Sequence, residues 1–327
     1  MSQKSKSFSE LRCDAVSGDW VVVAAGRGKR PDQFGLKRDV SSSTAKTGCP
    51  FCVFFDRSLP KGSGIVVVDN KYPAFSPDAG LGKAFGQGFF KKKPALGFHE
   101  VVVLKKHDIQ LADVSLDELK ELIGVYQERY LILSAKKGIK YVFIFHNQGP
   151  LAGASITHPH SQIIANNVVD FGFLRPLKAS QAFYAKNKKC LYCQVVKAEM
   201  KNKERIVDEN KSFVALCPFA SKISFEVMIF PKNHSPYFER ISEEEKADLA
   251  DILKSVLIKI KKGVGDPDYN FFIRTSPCDK ASYPYFHWHL DILPKTAIYA
   301  GFELGANMEI ITMAPEQAAE YLRKIKV

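Results

Sequence analysis

No run of 18 apolar residues occurs in the 327-residue chain, so nothing in it reads as a membrane-crossing helix. The opening stretch, Met1 to Ser9, is polar and lacks the apolar segment of a secretory leader. Cysteine is sparse and forms no paired framework. Four of the seven sit in two Cys-x-x-Cys pairs, and Cys13, Cys217 and Cys278 are left over as expected packing residues. That usage suits a reducing compartment, and a cytoplasmic protein is expected. Acidic residues are in deficit, 35 against 47 lysines and arginines, for a formal charge of +12. Such a surplus points to an anionic partner: nucleic acid, nucleotide or sugar phosphate. The alternative is a solvated lysine surface, which suits Lys91-Lys92-Lys93, Lys188-Lys189 and Lys261-Lys262. These clusters lack the aromatic interleaving of a single-strand binding groove, and no recognition helix is evident, which disfavours nucleic acid. Hydrophobic residues make up 46%, enough for full cores, and the length predicts two compact units.

What is present is one metal-ligand pattern written twice. Cys49 and Cys52 are followed by His107 and then His158-Pro159-His160; Cys190 and Cys193 are followed by His234 and then His287-Trp288-His289. Two cysteines two residues apart make one corner of a tetrahedral zinc site, and two distant histidines complete it. The expected ligand sets are Cys49, Cys52, His107 and His158 in the first copy and Cys190, Cys193, His234 and His287 in the second. Four protein ligands close a site, so both Zn²⁺ ions are expected to be structural.

The repetition extends beyond the ligands. His99 to Val103 and Phe225 to Ile229 read as apolar strands ahead of each middle histidine. Ser115-Leu-Asp-Glu118 and Ser242-Glu-Glu-Glu245 match the capping box, predicting helices over 116–136 and 243–262, ended by Gly138 and Gly263. Tyr141 to Phe145 and Tyr269 to Ile273 read as further strands, and the paired histidines fall on or beside another. Each half is therefore an α+β unit, an antiparallel sheet with one long helix. The division falls near 170–185, giving repeats over 1–175 and 176–327. Residues 27–48 and 76–98 read as long loops, and Ala314-Pro315-Glu316 opens a C-terminal helix.

The chemistry concentrates in the first copy. On a strand, residues 158, 160 and 162 face one side. With His158 on the metal, His160 is a neutral imidazole free to attack phosphorus, provided its other ring nitrogen donates to a fixed acceptor such as a backbone carbonyl. Gln162 offers a hydrogen-bond donor to a phosphate without adding charge. Equally open at this level is a structural role for all of them, or metal ligation by His160. Upstream, the small residues Ala152 to Ser155, Gly153 and Ala154 among them, would let backbone N–H groups approach a phosphate. The second copy has Asp291 where the first has Gln162, and a carboxylate there would repel phosphate. One nucleophilic site per chain follows.

At these residues the chain resembles the galactose-1-phosphate uridylyltransferase family of the histidine-triad superfamily, over nearly its whole length. Trp20-Val-Val-Val, Gly26 to Pro31, the cysteine pair, the Asn147-to-Gly153 loop, His-Pro-His-x-Gln, His-Trp-His-Leu-Asp-Ile-Leu-Pro-Lys and Ala300-Gly301-Phe302-Glu303 carry the likeness, the last two to its microbial and plant-like branch. It implies two histidine-triad-like repeats joined into one larger half-barrel-like sheet, the second catalytically degenerate, and a possible homodimer. It implies that His160 attacks the α-phosphorus of a nucleoside diphosphate sugar, forming a nucleotidyl-histidine that a sugar 1-phosphate or inorganic phosphate resolves. By the same likeness Arg27 and Arg30 hold phosphates, Asn70 contacts the nucleoside, Asn147, Ser155 and Gln162 orient phosphates, and Glu303 binds substrate. Lys71 stands where some members have aspartate, and Ala297 to Tyr299 stand where some have a lysine. The base and the acceptor therefore stay open between a uridylyltransferase and an ADP-glucose phosphorylase. Gln162 in place of a third histidine favours transfer over dinucleotide hydrolysis.

Overall fold

The computed structural model describes residues 9–24, 48–56, 64–79, 85–87, 89–169 and 171–327. In chain order the elements are β1 (Glu10–Cys13), β2 (Trp20–Val23), α1 (Val53–Asp56), β3 (Ile65–Asp69), β4 (Phe85–Gln87), β5 (Phe90–Lys92), β6 (Gly97–Leu104), α2 (Leu116–Ser134), β7 (Tyr141–Gln148), β8 (His160–Asn166), α3 (Phe171–Asn187), α4 (Leu191–Asn202), β9 (Ile206–Glu209), β10 (Phe213–Leu216), β11 (Val227–Pro231), α5 (Glu243–Val264), β12 (Tyr269–Arg274), β13 (His289–Pro294), α6 (Gly301–Ala306), β14 (Ile310–Ile311) and α7 (Pro315–Arg323).

Nine strands form one open antiparallel sheet in the order β3-β6-β8-β7-β12-β13-β11-β10-β9. The order reads outward from a seam: β7, β8, β6 and β3 on one side match β12, β13, β11 and β10 on the other. The seam pairs Asn147 with Asn270 and Phe145 with Phe272. The expected mixed α+β architecture, two repeats fused through one larger sheet, is what the chain adopts. A second, three-stranded sheet joins β1, β2 and β14.

One face of the large sheet carries α2 and α5, which lie against each other. Both start from the expected capping boxes, with Ser115 and Ser242 accepting from the N–H of Glu118 and Glu245. Leu119, Leu122, Ile123 and Tyr126 of α2, with Leu249, Leu253 and Val256 of α5, bury themselves against Val102, Ile163, Phe271 and Ile292 in one continuous core. The opposite face is covered over β7, where Phe173 packs on Tyr141 with ring centres 5.0 Å apart, and over the second repeat. In the second it is roofed by α3 and α4, whose Phe173, Leu177, Tyr192 and Val196 pack on Val214, Leu216 and Phe230.

Three expectations need correction. Helix α5 ends at Gly265, in the left-handed conformation at φ 82°, and not at Gly263. Gly263 lies inside the helix, where its carbonyl accepts from the Tyr321 hydroxyl of α7, so tertiary contact carries the helix past it. The strand expected from Phe225 starts at Val227, because Phe225 has φ 66° and cannot continue a ladder. Within 76–98, the short hairpin of β4 and β5 replaces the expected plain loop.

Candidate active site and two candidate metal centres

Cys49 and Cys52 stand ahead of and at the entry to α1, His107 follows β6, and His158 directly precedes β8. The structure brings their ligand atoms together, all within 4.8 Å of one another. Cys52 Sγ lies 3.2 Å from His107 Nδ1, and His107 Nδ1 lies 3.1 Å from His158 Nδ1. His158 Nε2 donates to the Leu104 carbonyl at 2.5 Å. A carbonyl only accepts, so the proton sits on Nε2 and the Nδ1 lone pair faces the cluster. The second group, Cys190, Cys193, His234 and His287, repeats this plan within the same 4.8 Å. His287 Nε2 donates to the Pro231 carbonyl at 2.9 Å, and Cys193 Sγ lies 3.3 Å from both His234 Nδ1 and His287 Nδ1. Outer carbonyls that fix the tautomer are the usual support of a metal-binding histidine. Both donor sets, two sulfurs and two nitrogens, fit a metal ion. A thiolate is favoured at Cys190, where the hydrogen bond with Cys193, and others with His234 and His287, pull the thiol well below its ordinary range.

His160, the first residue of β8, shares its strand face with Gln162. His158 lies just ahead of the strand, and its carbonyl accepts from His160 Nδ1 at 2.8 Å. The proton is thereby held on Nδ1, and the lone pair of Nε2 points away from the backbone. Burial pushes the His160 pKa below its ordinary value against the opposing effect of that hydrogen bond, which favours the neutral ring. Phe51 packs on the imidazole with ring centres 5.0 Å apart.

Gln162 is oriented by a histidine that sequence reasoning treated only as a strand residue. His99 on β6 accepts the Ala74 N–H at Nδ1 (3.2 Å), so its Nε2 carries the proton and donates to Gln162 Oε1 at 2.8 Å. The Gln162 amide N–H₂ is left to face another partner. Asn70, just past β3, meets the same histidine: its Nδ2 lies 3.2 Å from His99 Nε2, and its Oδ1 accepts the Tyr72 N–H at 2.8 Å. Asn147 lies near the end of β7 on the His160 side of the sheet. The signal for His99 was present. Six of the eight histidines fall into the repeated pattern, which leaves His99 and His146 to be explained. His146 lies on the helix-covered face, hydrogen-bonded to Ser161 at 3.1 Å and pushed down to about 3 by burial, and belongs to the core.

The loop after β7 departs from expectation. The N–H groups of Ala152, Gly153 and Ala154 donate to the carbonyls of Gly149, Pro150 and Gly149, so they close the turn instead of facing outward. Ser155 beyond the turn is exposed. Arg27 and Arg30 lie outside the described residues. Glu303 caps its own helix, accepting the Ala300 N–H at 3.0 Å.

In the second repeat His289 copies His160 as far as its backbone bond, Nδ1 donating to the His287 carbonyl at 2.9 Å. The likeness stops there. Its Nε2 lies 3.7 Å from Asp291 Oδ1, Asp291 accepts from Arg274 Nε at 2.8 Å, and the ring is packed among Tyr192, Phe230 and Phe286. The roof of α3 and α4 closes over it.

Residues 1–170 match the family model for the galactose-1-phosphate uridyl transferase N-terminal domain, and residues 177–327 the one for its C-terminal domain. The chain is 33% identical to the ADP-glucose phosphorylase of Arabidopsis thaliana, over 97% of this chain and 93% of that one. It is 32% identical to the galactose-1-phosphate uridylyltransferase of Thermotoga maritima, over 97% of this chain and 99% of that one. Among solved structures, the Arabidopsis ADP-glucose phosphorylase with bound ADP-glucose superposes with a TM-score of 0.82 at 31% identity, covering 98% of this chain and all of that one. The duplicated sheet, its paired ligand groups and the strand of His160 and Gln162 thus have a lineage: the chain belongs to the galactose-1-phosphate uridyl transferase family.

Proposed function

We infer that this protein is a nucleotidyltransferase that moves a nucleoside monophosphate from a nucleoside diphosphate sugar to a sugar 1-phosphate through a covalent intermediate on His160. The observation that carries this reading is the 2.8 Å bond from His160 Nδ1 to the His158 carbonyl, which leaves an unshared pair on Nε2 beside the Gln162 amide. In the first step Nε2 bonds to the α-phosphorus, the bond from that phosphorus to the bridging oxygen breaks, and sugar 1-phosphate leaves. The Nδ1 proton stays in place, and the His158 carbonyl stabilises the positive charge the ring acquires. In the second step a phosphate oxygen of the acceptor attacks the same phosphorus, the N–P bond breaks, and neutral His160 returns. Gln162 and Asn147 donate to the α-phosphate oxygens, where charge builds during transfer. Arg27 and Arg30 pair with the phosphates, Gly153 and Ala154 shape the loop beside them, and Ser155 adds a hydroxyl. Asn70 contacts the nucleoside, and Glu303 contributes to sugar binding.

In this reading the two Cys₂His₂ groups hold Zn²⁺, which suits two sulfurs and two nitrogens in a closed set. The ion would anchor the backbone at His158, and the transfer itself runs on His160. The protein works as a cytoplasmic homodimer, with its repeats divided at 175 and 176.

A second reading keeps the intermediate and changes its ends: an ADP sugar as donor and inorganic phosphate as acceptor. The 33% identity to an ADP-glucose phosphorylase favours it. One experiment tests both. The protein is incubated with UDP-glucose or ADP-glucose, each labelled at the α-phosphate, quenched in base and examined for acid-labile label on the chain. Label from UDP-glucose, released by galactose 1-phosphate, is the expected outcome. Label from ADP-glucose alone, released by inorganic phosphate, selects the second reading. No label from either rejects the covalent mechanism.

A further inference from the structure

The loop from Gly149 to Gly153 leaves β7 of the first repeat, yet its anchors come from the second. Asn270 on β12 stands opposite Asn147, and its Nδ2 donates to Asn147 Oδ1 at 2.8 Å and to the Ala152 carbonyl at 2.8 Å. A backbone carbonyl only accepts, so the Asn270 amide has one permitted orientation, with both N–H groups engaged. Asn147 must then turn its oxygen toward Asn270, which leaves its own Nδ2 for another partner. That nitrogen points along the loop: a Cβ on Gly153 would sit 4.0 Å from it. Two residues before Asn270, Asp268 Oδ2 accepts the Leu151 N–H at 2.7 Å. Its carboxylate presses so close to Gly149 (φ 81°) that a Cβ there would fall 2.0 Å from Asp268 Oδ1.

We propose that Asn270 is a positioning residue for nucleotidyl transfer. It fixes the Asn147 amide so that Nδ2 is presented to an α-phosphate oxygen, and it clamps the adjoining loop at Ala152. The repeat that lacks a working histidine thereby completes the phosphate site of the one that has it, within a single chain. This rests on the reading of His160 as nucleophile.

The test measures the rate at which label from the donor reaches the chain in rapid-quench experiments, with the donor KM determined alongside. Asn270→Asp preserves shape but sets a carboxylate against two oxygens, so Asn147 reverses and offers its own oxygen to the phosphate. Its loss is expected to be on the order of 100-fold, against about 10-fold for Asn270→Ala, with KM moved less than about threefold. In an Asn147→Ala background the same changes are expected to have much smaller effects, on the order of a few-fold, because the Asn147 amide is gone and only the bond to the Ala152 carbonyl is left to lose. A packing role predicts the reverse order, alanine worse than aspartate, and equal losses in both backgrounds; either result overturns the proposal, as does unchanged turnover. Should the alanine variant not fold, the cycle with Asn270→Asp alone decides. His160→Ala separates the two levels. If it is labelled like the unaltered protein, the nucleophile reading itself fails. If it is unlabelled while the Asn270 variants label normally, only the positioning role falls.

Discussion

His160 and His289 occupy matching positions, make the same backbone bond and differ in what meets the second ring nitrogen. Beside His160 stands a neutral amide whose oxygen is engaged by His99; beside His289 stands Asp291, already paired with Arg274. Desolvation lowers the pKa of both rings, so the neutral imidazole alone does not distinguish them. The neighbouring charge does. His160→Ala is expected to abolish labelling and turnover, a loss of at least about 10³-fold, while both metals stay bound; turnover near the normal rate would show that the ring is not the nucleophile. A different residue sets a pH dependence of stability. Glu226 is fully buried, and burial, aided by Asp291, raises its acid to about 8 from an ordinary 4.5. The folded state therefore holds a proton that the unfolded chain releases. The stabilisation is complete below about pH 4.5 and is lost as pH rises through 8. Thermal melts of Glu226→Gln should gain on the unaltered protein as pH rises from about 4.5 to 8 and run parallel to it above that; curves parallel throughout would show that the carboxyl is ionised in the fold.

Each Cys-x-x-Cys pair stands at the start of a helix and meets a histidine that precedes a strand, and the two candidate metal groups act at the scale of elements. The first holds α1, the turn after β6 and the approach to β8; the second holds α4, the turn after β11 and the approach to β13. Cys49→Ser and Cys190→Ser are each expected to halve the bound metal, from two ions to one per chain, as read by elemental analysis. Full metal in both variants would remove the assignment. These groups were legible in the sequence because ligand chemistry allows few residue types at few spacings. The helices were legible because a serine three residues before a glutamate has a local mechanism. What escaped was set by tertiary contact. Gly263 reads as a helix end until Tyr321 of α7 is known to bind its carbonyl. The loop N–H groups read as phosphate donors until Asp268 and Asn270 of the second repeat are seen to anchor the loop in a turn that Gly149 and Pro150 close on them. His99 and Asn270 read as strand residues, because the partner that gives each a role lies on a different strand. Nor does any local pattern in 171–202 announce that α3 and α4 pack over the second repeat.

At the scale of the whole molecule the two repeats share what they would need to unfold separately. The sheet runs unbroken through the β7–β12 seam, and α2 of one repeat packs on α5 of the other over one core that draws on both. A domain that unfolds alone must detach from its neighbour without exposing much apolar surface. Here detachment would strip Val142, Ile144, Phe271 and Ile273 along the seam, all under 2% exposed, and the facing sides of two long helices. Each aliphatic side chain so exposed costs about 1.5–3 kcal/mol, and a handful exceeds the whole stability of an ordinary domain. Calorimetry should accordingly record one cooperative transition in spite of the internal duplication. The metal groups give this prediction its edge, since each lies wholly within one repeat. Emptying either with Cys49→Ser or Cys190→Ser should lower the same single transition and leave it single. If one variant instead splits the melt in two, with half of the unfolding enthalpy retained at the original temperature, the repeats are independent bodies and the seam does not couple them.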